Sequence, residues 1–222
     1  MKKIGVICAM KVEMLTLAEA LDAKKFKKDI LTTKLDNDIE VYICLCGIGK
    51  VNAAAAAQRL IDLTGVEIII NSGIAGGLNR NLEIGDIVIS KTAVYHDFNP
   101  LDLLDSYPPY NKIFKADEEL IKLSEKACKS AGIVYIVGTV ASGDRFVASD
   151  SDKKNIIDSF GADCVEMEGA AIAHVCLLNG VRFVAIRSVS DFADDTAEIH
   201  NDFEKTTADR AAMITEYICK SI

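Results

Sequence analysis

The sequence predicts an α/β fold, one domain over residues 1–222 around a mixed, mainly parallel sheet with helices on its faces. Three observations lead there. Strand-like and helix-like segments alternate along the chain, the pattern of helices covering a sheet. The run Val66–Ile70, apolar but for Glu67, reads as a strand covered on both faces. And 222 residues, 50% hydrophobic and 26% charged, are enough for a substantial core without disulfides.

The elements follow in order. Residues 3–8 form a β-branched strand. Residues 11–22 place Val12, Met14, Leu15, Leu17, Ala18 and Leu21 at helical spacing. Residues 29–35 and 39–46 read as two strands joined by a polar turn at Asp36-Asn37-Asp38. The alanine run within 50–63 predicts a helix that approaches the sheet closely. After Val66–Ile70, the glycines at 73–77 read as a tight strand-to-helix turn or as backbone that approaches a ligand. A strand follows at 86–94, then a loop or short helix at 99–113 that holds all three prolines. Helices are expected at 117–131, 150–160, from about 168 through 178, and at 202–220. Strands are expected at 133–141, 163–167 and 181–189.

Charge and composition exclude several classes. A net charge of −8 argues against a nucleic-acid binder, which needs a basic footprint. No apolar run reaches the roughly 18 residues of a membrane span. The first residues lack the long apolar core of an export signal. Seven cysteines, an odd number lying mostly in apolar runs, then read as core thiols in a reducing cytoplasm rather than as a disulfide framework. Cys44 and Cys46 share a strand face, a spacing poor for a metal, so no metal or organic cofactor is expected.

Ligands of open α/β sheets bind beyond the carboxyl ends of the strands. Those ends carry Ala9, Met10 and Glu13; Gly73, Ala75, Gly76 and Gly77; Gly143, Asp144, Arg145 and Phe146; Glu166, Met167 and Glu168; and Arg187, Ser190 and Asp191. Acids, one aromatic and a glycine floor suit a small polar ligand with an aromatic part. Neither GIGK at 47–50 nor GIAGG at 73–77 has the spacing of a Walker or dinucleotide phosphate loop.

Nine segments in order are IGVICAMKVEM, CGIGKVNAA, INSGIAGGL, IGDIVIS, YHDF, FKAD, SGDRFV, VEMEGAAIAHVC and IRSVSDFAD. Together they resemble the methylthioadenosine/S-adenosylhomocysteine nucleosidases of the purine nucleoside phosphorylase superfamily, over nearly the whole chain. The resemblance implies a three-layer α/β/α domain with a partly barrel-like central sheet, assembled as a homodimer. It implies hydrolysis of the N-glycosidic bond of methylthioadenosine, S-adenosylhomocysteine and 5′-deoxyadenosine to adenine and a 5-substituted ribose, within methionine salvage. By motif, Glu13 matches the base that activates water and Asp191 the acid that protonates departing adenine. Glu168 matches the carboxylate on the ribose hydroxyls, with Met167 beside the sugar. Phe146 matches the aromatic stacked on adenine, the Val147 backbone the contact to the base edge, and Gly76 the ribose-side glycine. Arg187 and Ser190 match supporting residues. Pro100 and Leu103, with Leu101, are expected to complete a partner's pocket.

The chemistry asks for these residue types. Adenine leaves poorly as an anion and needs an acid; water needs a base; the ribose cation gains from nearby carboxylates. The residues alone leave other roles open. Glu13 fits a solvated first-turn acid, Asp191 a helix N-cap, Phe146 a core position, Arg187 a partner for an acid, and Glu166 a structural carboxylate. His174 reads as a buried, satisfied histidine. Ile74 departs from the resemblance, since a small hydroxyl residue is common at its position. The segment 195–203 is more polar than a lid over a thioalkyl group would be. The rivals are a phosphorylase, a nucleosidase for AMP or a futalosine-type substrate, and a non-catalytic nucleoside binder. Phosphate as nucleophile would need cationic groups where Glu13 stands.

Overall fold

The computed structural model describes residues 2–36, 38–195, 197 and 201–222, the last helix by its backbone alone over 201–205. The order is β1 (Lys2–Cys8), α1 (Lys11–Ala20), β2 (Lys24–Lys27), β3 (Ile30–Leu35), β4 (Ile39–Leu45), α2 (Lys50–Thr64), β5 (Ile68–Gly77) and β6 (Ile87–Tyr95). It continues with α3 (Leu103–Ser106), β7 (Phe114–Lys115), α4 (Glu118–Ala131), β8 (Tyr135–Ser142), α5 (Asp150–Phe160), β9 (Cys164–Glu166), α6 (Gly169–Asn179), β10 (Arg182–Asp191) and α7 (Asn201–Ser221).

One sheet carries all the described strands, in the order β10-β6-β8-β9-β5-β1-β4-β3-β2, with β7 beside β6. β10 also pairs with β5, so β5, β10, β6, β8 and β9 close into a small barrel, and β1, β4, β3 and β2 extend from it as an open wing. β5 belongs to both parts. It pairs in parallel with β1 over Ile68–Asn71, with β10 along its length, and antiparallel with β9 at Gly76 and Gly77.

The strands alternate their side chains between two helical layers. Ile4 and Val6 of β1 enter one core with Met14 and Leu17 of α1, Leu120 and Ala127 of α4, and Ile214 and Ile218 of α7. Ile7 faces the other core, where Ala53, Ala57 and Leu60 of α2 meet Ala170, Ala173 and Cys176 of α6. Small residues let α2 lie close to the sheet: a Cβ at Gly5 would stand 2.7 Å from the Leu60 side chain. Asp117 opens α4 by accepting the Glu119 and Leu120 amides, and Arg182 at the start of β10 grips the same carboxylate at 2.7–2.8 Å.

Two sequence expectations need correcting. Residues 73–77 are not a turn; they are the second half of β5, and Gly73, Gly76 and Gly77 are not in the left-handed region. The glycines serve lateral room instead, as the site shows. Lys24–Lys27 forms a strand that no apolar alternation announced, because it is the sheet's outer edge. Its lysines discourage pairing with another chain, and Phe26 packs edge-on against Tyr42 at 5.3 Å. The 99–113 stretch is the expected excursion, holding α3. Within it Leu104 is buried and Leu101 packs on the α2/α6 core, while Pro100 and Leu103 are exposed.

All seven cysteines are free, and only Cys46 is not fully buried. His174 stacks on Phe114 at 4.9 Å and meets the Tyr95 hydroxyl through Nδ1 at 3.2 Å. Among the described residues no helix is long and apolar enough to cross a membrane, and no three metal-binding side chains are grouped.

Candidate active site

The polar centre is built where β5 and β10 run side by side. Register places Arg187 opposite Gly73 and Asp191 opposite Gly76. A Cβ at Gly73 would lie 2.4 Å from Arg187 Nη1 and 2.6 Å from Glu13 Oε1. One at Gly76 would lie 3.0 Å from Asp191 Oδ1. Glycine is required at both positions: Arg187 and Glu13 occupy the space a side chain would take at Gly73, and Ala193 Cβ, at 2.8 Å, and Asp191 occupy it at Gly76. These two contacts lie three residues apart on an extended strand, about 10 Å along its axis.

Arg187 is 1% exposed. Its Nη2 donates to Asn71 Oδ1 and to Glu166 Oε2, and stands 3.9 Å from Glu168 Oε2. Nη1 has only a 3.5 Å contact with the Ile74 carbonyl, and Nε is buried without a hydrogen-bond partner. Burial opposes the charge, but Glu166, Glu168 and Glu13 hold the guanidinium above its ordinary range.

Glu13 is 4% exposed, which rules out a solvated first-turn acid. Its carboxylate accepts the Ala9 and Met10 amides at 2.9 Å and the Ile74 amide at 3.1 Å. The isoleucine at 74 therefore keeps a backbone bond to Glu13, whatever its side chain lacks. Three of roughly four acceptor sites on the carboxylate are filled, leaving one for a further donor. Burial raises the carboxyl above its usual range, against the pull of Arg187 and these amides.

Glu166, expected to be a structural carboxylate, is a hub of internal hydrogen bonds. It accepts the Ser142 hydroxyl, the Glu168 amide at 3.0 Å, the Gly169 amide and the Arg187 guanidinium. Glu168, 4% exposed at the start of α6, accepts the Gly49 amide at 2.8 Å. Burial, then the charge of Glu166, pushes its carboxyl up to about 7.

The cleft beside this cluster is lined by Gly76, Arg145, Phe146, Val147, Val165, Glu166, Met167 and Asp191. Five residues that the resemblance gives a site role, Gly76, Phe146, Val147, Met167 and Asp191, meet there, while Glu13, Glu168, Arg187 and Ser190 do not line it. Phe146 is 52% exposed on its rim, so it is not a core residue, while Val147 is buried. Asp191 Oδ1 accepts the Ala193 amide and Oδ2 the Ser190 hydroxyl, both at 2.8 Å. Asp191 is the last residue of β10 and caps no described helix. Pro100 and Leu103 lie on the 99–113 excursion and do not line this cleft. Of segment 195–203, residues 196 and 198–200 and the side chains of 201–203 lie outside the described residues.

Asn71 and Ser142 escaped the sequence reading. Asn71 had a signal: a polar residue directly after Ile68–Ile70, fully buried, which donates to the Ile7 carbonyl at 3.0 Å and receives Arg187. Ser142 ends an apolar strand with nothing to distinguish it from a loop serine.

Comparison with known proteins bears on this geometry. The family model described as Phosphorylase superfamily matches residues 3–222. Among solved structures, the chain is similar to a 5′-methylthioadenosine/S-adenosylhomocysteine nucleosidase of Neisseria meningitidis in complex with methylthio-immucillin-A, at 35% identity and TM-score 0.92, with 100% of both chains covered. It is similar to a mutant nucleosidase of this kind from Helicobacter pylori with 5′-methylthioadenosine in the active site, at 28% identity and TM-score 0.93, again covering 100% of both chains. It is also similar to a futalosine hydrolase of Helicobacter pylori, at 28% identity and TM-score 0.91, covering 100% of this chain and 98% of that one.

The Glu168 carboxyl yields a stability prediction. Because its pKa is raised in the folded protein, the neutral form favours folding. That contribution is full below the ordinary carboxylate range and is lost as pH rises through about 7. Glu168→Gln keeps an acceptor for the Gly49 amide and removes the charge. Its melting temperature should exceed that of the parent by more at pH 8 than at pH 5. An equal difference at both pH values in thermal melts would contradict the assignment.

Proposed function

The chain belongs to the phosphorylase superfamily and, within it, to the 5′-methylthioadenosine/S-adenosylhomocysteine nucleosidases, and we propose that it hydrolyses the N-glycosidic bond of these two nucleosides and of 5′-deoxyadenosine. The products are adenine and the 5-substituted ribose, a reaction that serves methionine salvage and disposal of S-adenosylmethionine by-products. The observation that carries the reading is the pair of carboxylates set against one glycine-bearing strand. Glu13 sits buried against Gly73, and Asp191 stands in the cleft against Gly76.

The bonds that Glu13, Asp191 and Glu168 already make support these roles. A water molecule takes the remaining acceptor site of Glu13, with Arg187 beside it. As the water oxygen bonds to C1′, Glu13 takes its proton, and the C1′–N9 bond breaks toward adenine. Asp191 supplies a proton to the purine ring, so that neutral adenine leaves. The Ser190 hydroxyl and the Ala193 amide hold that carboxyl in place. Glu168 accepts from the ribose hydroxyls, and with Glu13 its charge stabilises the oxocarbenium-like sugar. Met167 packs beside the sugar, Phe146 stacks on the base, and the Val147 backbone meets its edge. Since the exposed ring of Phe146 already forms the cleft rim, stacking covers apolar surface on both partners.

Water as nucleophile fits the electrostatics. Three buried carboxylates surround one guanidinium, and that guanidinium is committed through Nη2. An attacking phosphate, or the 5′-phosphate of AMP, would enter a region of excess negative charge. Like charges 4 Å apart repel by roughly 4 kcal/mol at an effective dielectric of about 20. An uncharged 5′-thioalkyl group avoids this and gains about 0.8 kcal/mol per buried methylene. A futalosine-type nucleoside is the second reading, favoured by the likeness to the futalosine hydrolase.

Two experiments test the assignment. With 5′-methylthioadenosine, Asp191→Asn and Glu13→Gln should each lower adenine release by about 10²-fold or more, within or beyond the range for removing an acid or base, while remaining folded by circular dichroism. Near-parental turnover in either variant would remove that residue from its role. The second concerns assembly. We propose a homodimer in which Pro100 and Leu103 of one subunit close the 5′ end of the other's pocket, since both lie exposed on an apolar excursion outside their own cleft. Leu103→Asp should weaken association in light scattering and raise KM together. A monomeric parent at micromolar concentration would contradict the arrangement.

A further inference from the structure

Three motifs from the sequence hold residues that the reaction does not use: Lys50 of GIGK, Asp97 of YHDF and Asp144 of SGDRF. The structure brings them together. Asp97 Oδ1 accepts Lys50 Nζ at 2.5 Å, and Oδ2 accepts the Asp144 amide at 2.8 Å. Asp144 Oδ1 in turn accepts the Lys50 amide at 2.8 Å, and its Oδ2 stands 3.6 Å from Lys50 Nζ. The ammonium also lies 5.5 Å from the centroid of the Tyr95 ring.

Exposed ion pairs contribute little, but this one is built differently. The Lys50 and Asp97 side chains are only 21% and 20% exposed. Two of the bonds fix main-chain amides rather than mobile side chains. Both neighbouring glycines sit close to the clamp. A Cβ at Gly143 would meet the His96 ring first, at 2.4 Å, and Asp97 Cγ at 3.0 Å; at Gly49 the left-handed φ of +97 favours glycine, and a Cβ there would lie 3.1 Å from Asp144 Oδ1. Burial works against the charge of Asp97, yet Lys50 and the Asp144 amide hold its carboxyl below the usual range.

The clamped segments each reach the site. Gly49, the residue before α2, donates its amide to Glu168. The loop after β8 carries Asp144 and, two residues on, Phe146. We infer that Asp97 is a positioning residue that locks the amino end of α2 to the Phe146 loop, so that the sugar-side carboxylate and the base-stacking aromatic are held in one fixed relation. This inference rests on the nucleosidase reading for the identity of the ligand halves. Asp97 touches neither half itself; it acts through Gly49 and Phe146.

The test compares Asp97→Ala, Asp97→Asn and Lys50→Met with the parent, using 5′-methylthioadenosine turnover and calorimetric binding of adenine. A loosened clamp weakens ground-state contacts on both sides of the ligand. Asp97→Ala should raise KM roughly tenfold while changing kcat by less than about threefold. Asp97→Asn, which keeps one acceptor, should fall between it and the parent. Glu168 is faced by Glu166, Arg187, Glu13, Cys46 and the Gly49 amide, of which Arg187 and the amide favour its ionised form. Losing that amide should move the acid limb of kcat/KM to higher pH. A lower kcat with unchanged KM and an unmoved limb would reveal a merely structural residue and overturn the inference. If Asp97→Ala does not fold, Lys50→Met must still raise KM, and parental KM in that variant would overturn it equally. Should the parent release no adenine, the nucleosidase reading fails. The clamp is then judged on adenine binding alone, which Asp97→Ala must weaken about tenfold.

Discussion

The site depends on one constraint: a guanidinium with 1% of its surface exposed must be given partners by the fold. A buried charge is tolerable only when paired and hydrogen-bonded. The partners of Arg187 come from separate parts of the chain: Asn71 of β5, Glu166 of β9, and Glu168 at the start of α6. Each must be in register for the others to be satisfied. The pairing of β10 with β5 sets Arg187 beside Gly73, and closure of the barrel through β9 brings Glu166 across. Removing Glu166 would leave a cation without its strongest partner and release the Glu168 and Gly169 amides at once.

That constraint also shapes the chemistry. Three carboxylates compete for one cation, so the carboxyls of Glu13 and Glu168 sit above their ordinary range for want of solvent. A base with a raised pKa takes a proton from water more readily. Asp191 is set apart from the cluster, at the end of β10 and half-buried on the cleft, with a hydroxyl and an amide on its oxygens. The two ends of the site therefore differ in environment: Glu13 is buried against Arg187 and three main-chain amides, while Asp191 lies half-buried on the cleft.

Much of this was legible in the sequence. Alternating apolar periods located the main strands and helices to within a few residues, because each strand either alternates between two cores or is covered on both faces. The strand ends pointed to Glu13, Phe146, Met167, Glu168, Arg187 and Asp191, since ligands of α/β sheets bind there. What stayed hidden has physical reasons. Glycines at 73–77 look like a turn because glycine permits one, and only their tertiary neighbours, Arg187 and Glu13 at Gly73, Ala193 and Asp191 at Gly76, and Val189 at Gly77, explain why a strand needs them. Glu166 resembles any acid two residues from another until Arg187, Ser142 and two amides converge on it. The Lys50–Asp97–Asp144 clamp joins residues 47 positions apart or more, beyond the reach of any local pattern.

The central claim is that the carboxylate-rich end of the site directs water, not phosphate, at the sugar. The direct measurement is the rate of adenine release from 5′-methylthioadenosine in phosphate-free buffer and with added phosphate, with phosphorus NMR of the products. The account predicts the same rate in both and no sugar phosphate. Release that requires phosphate, with a ribose 1-phosphate signal growing as adenine appears, would contradict it.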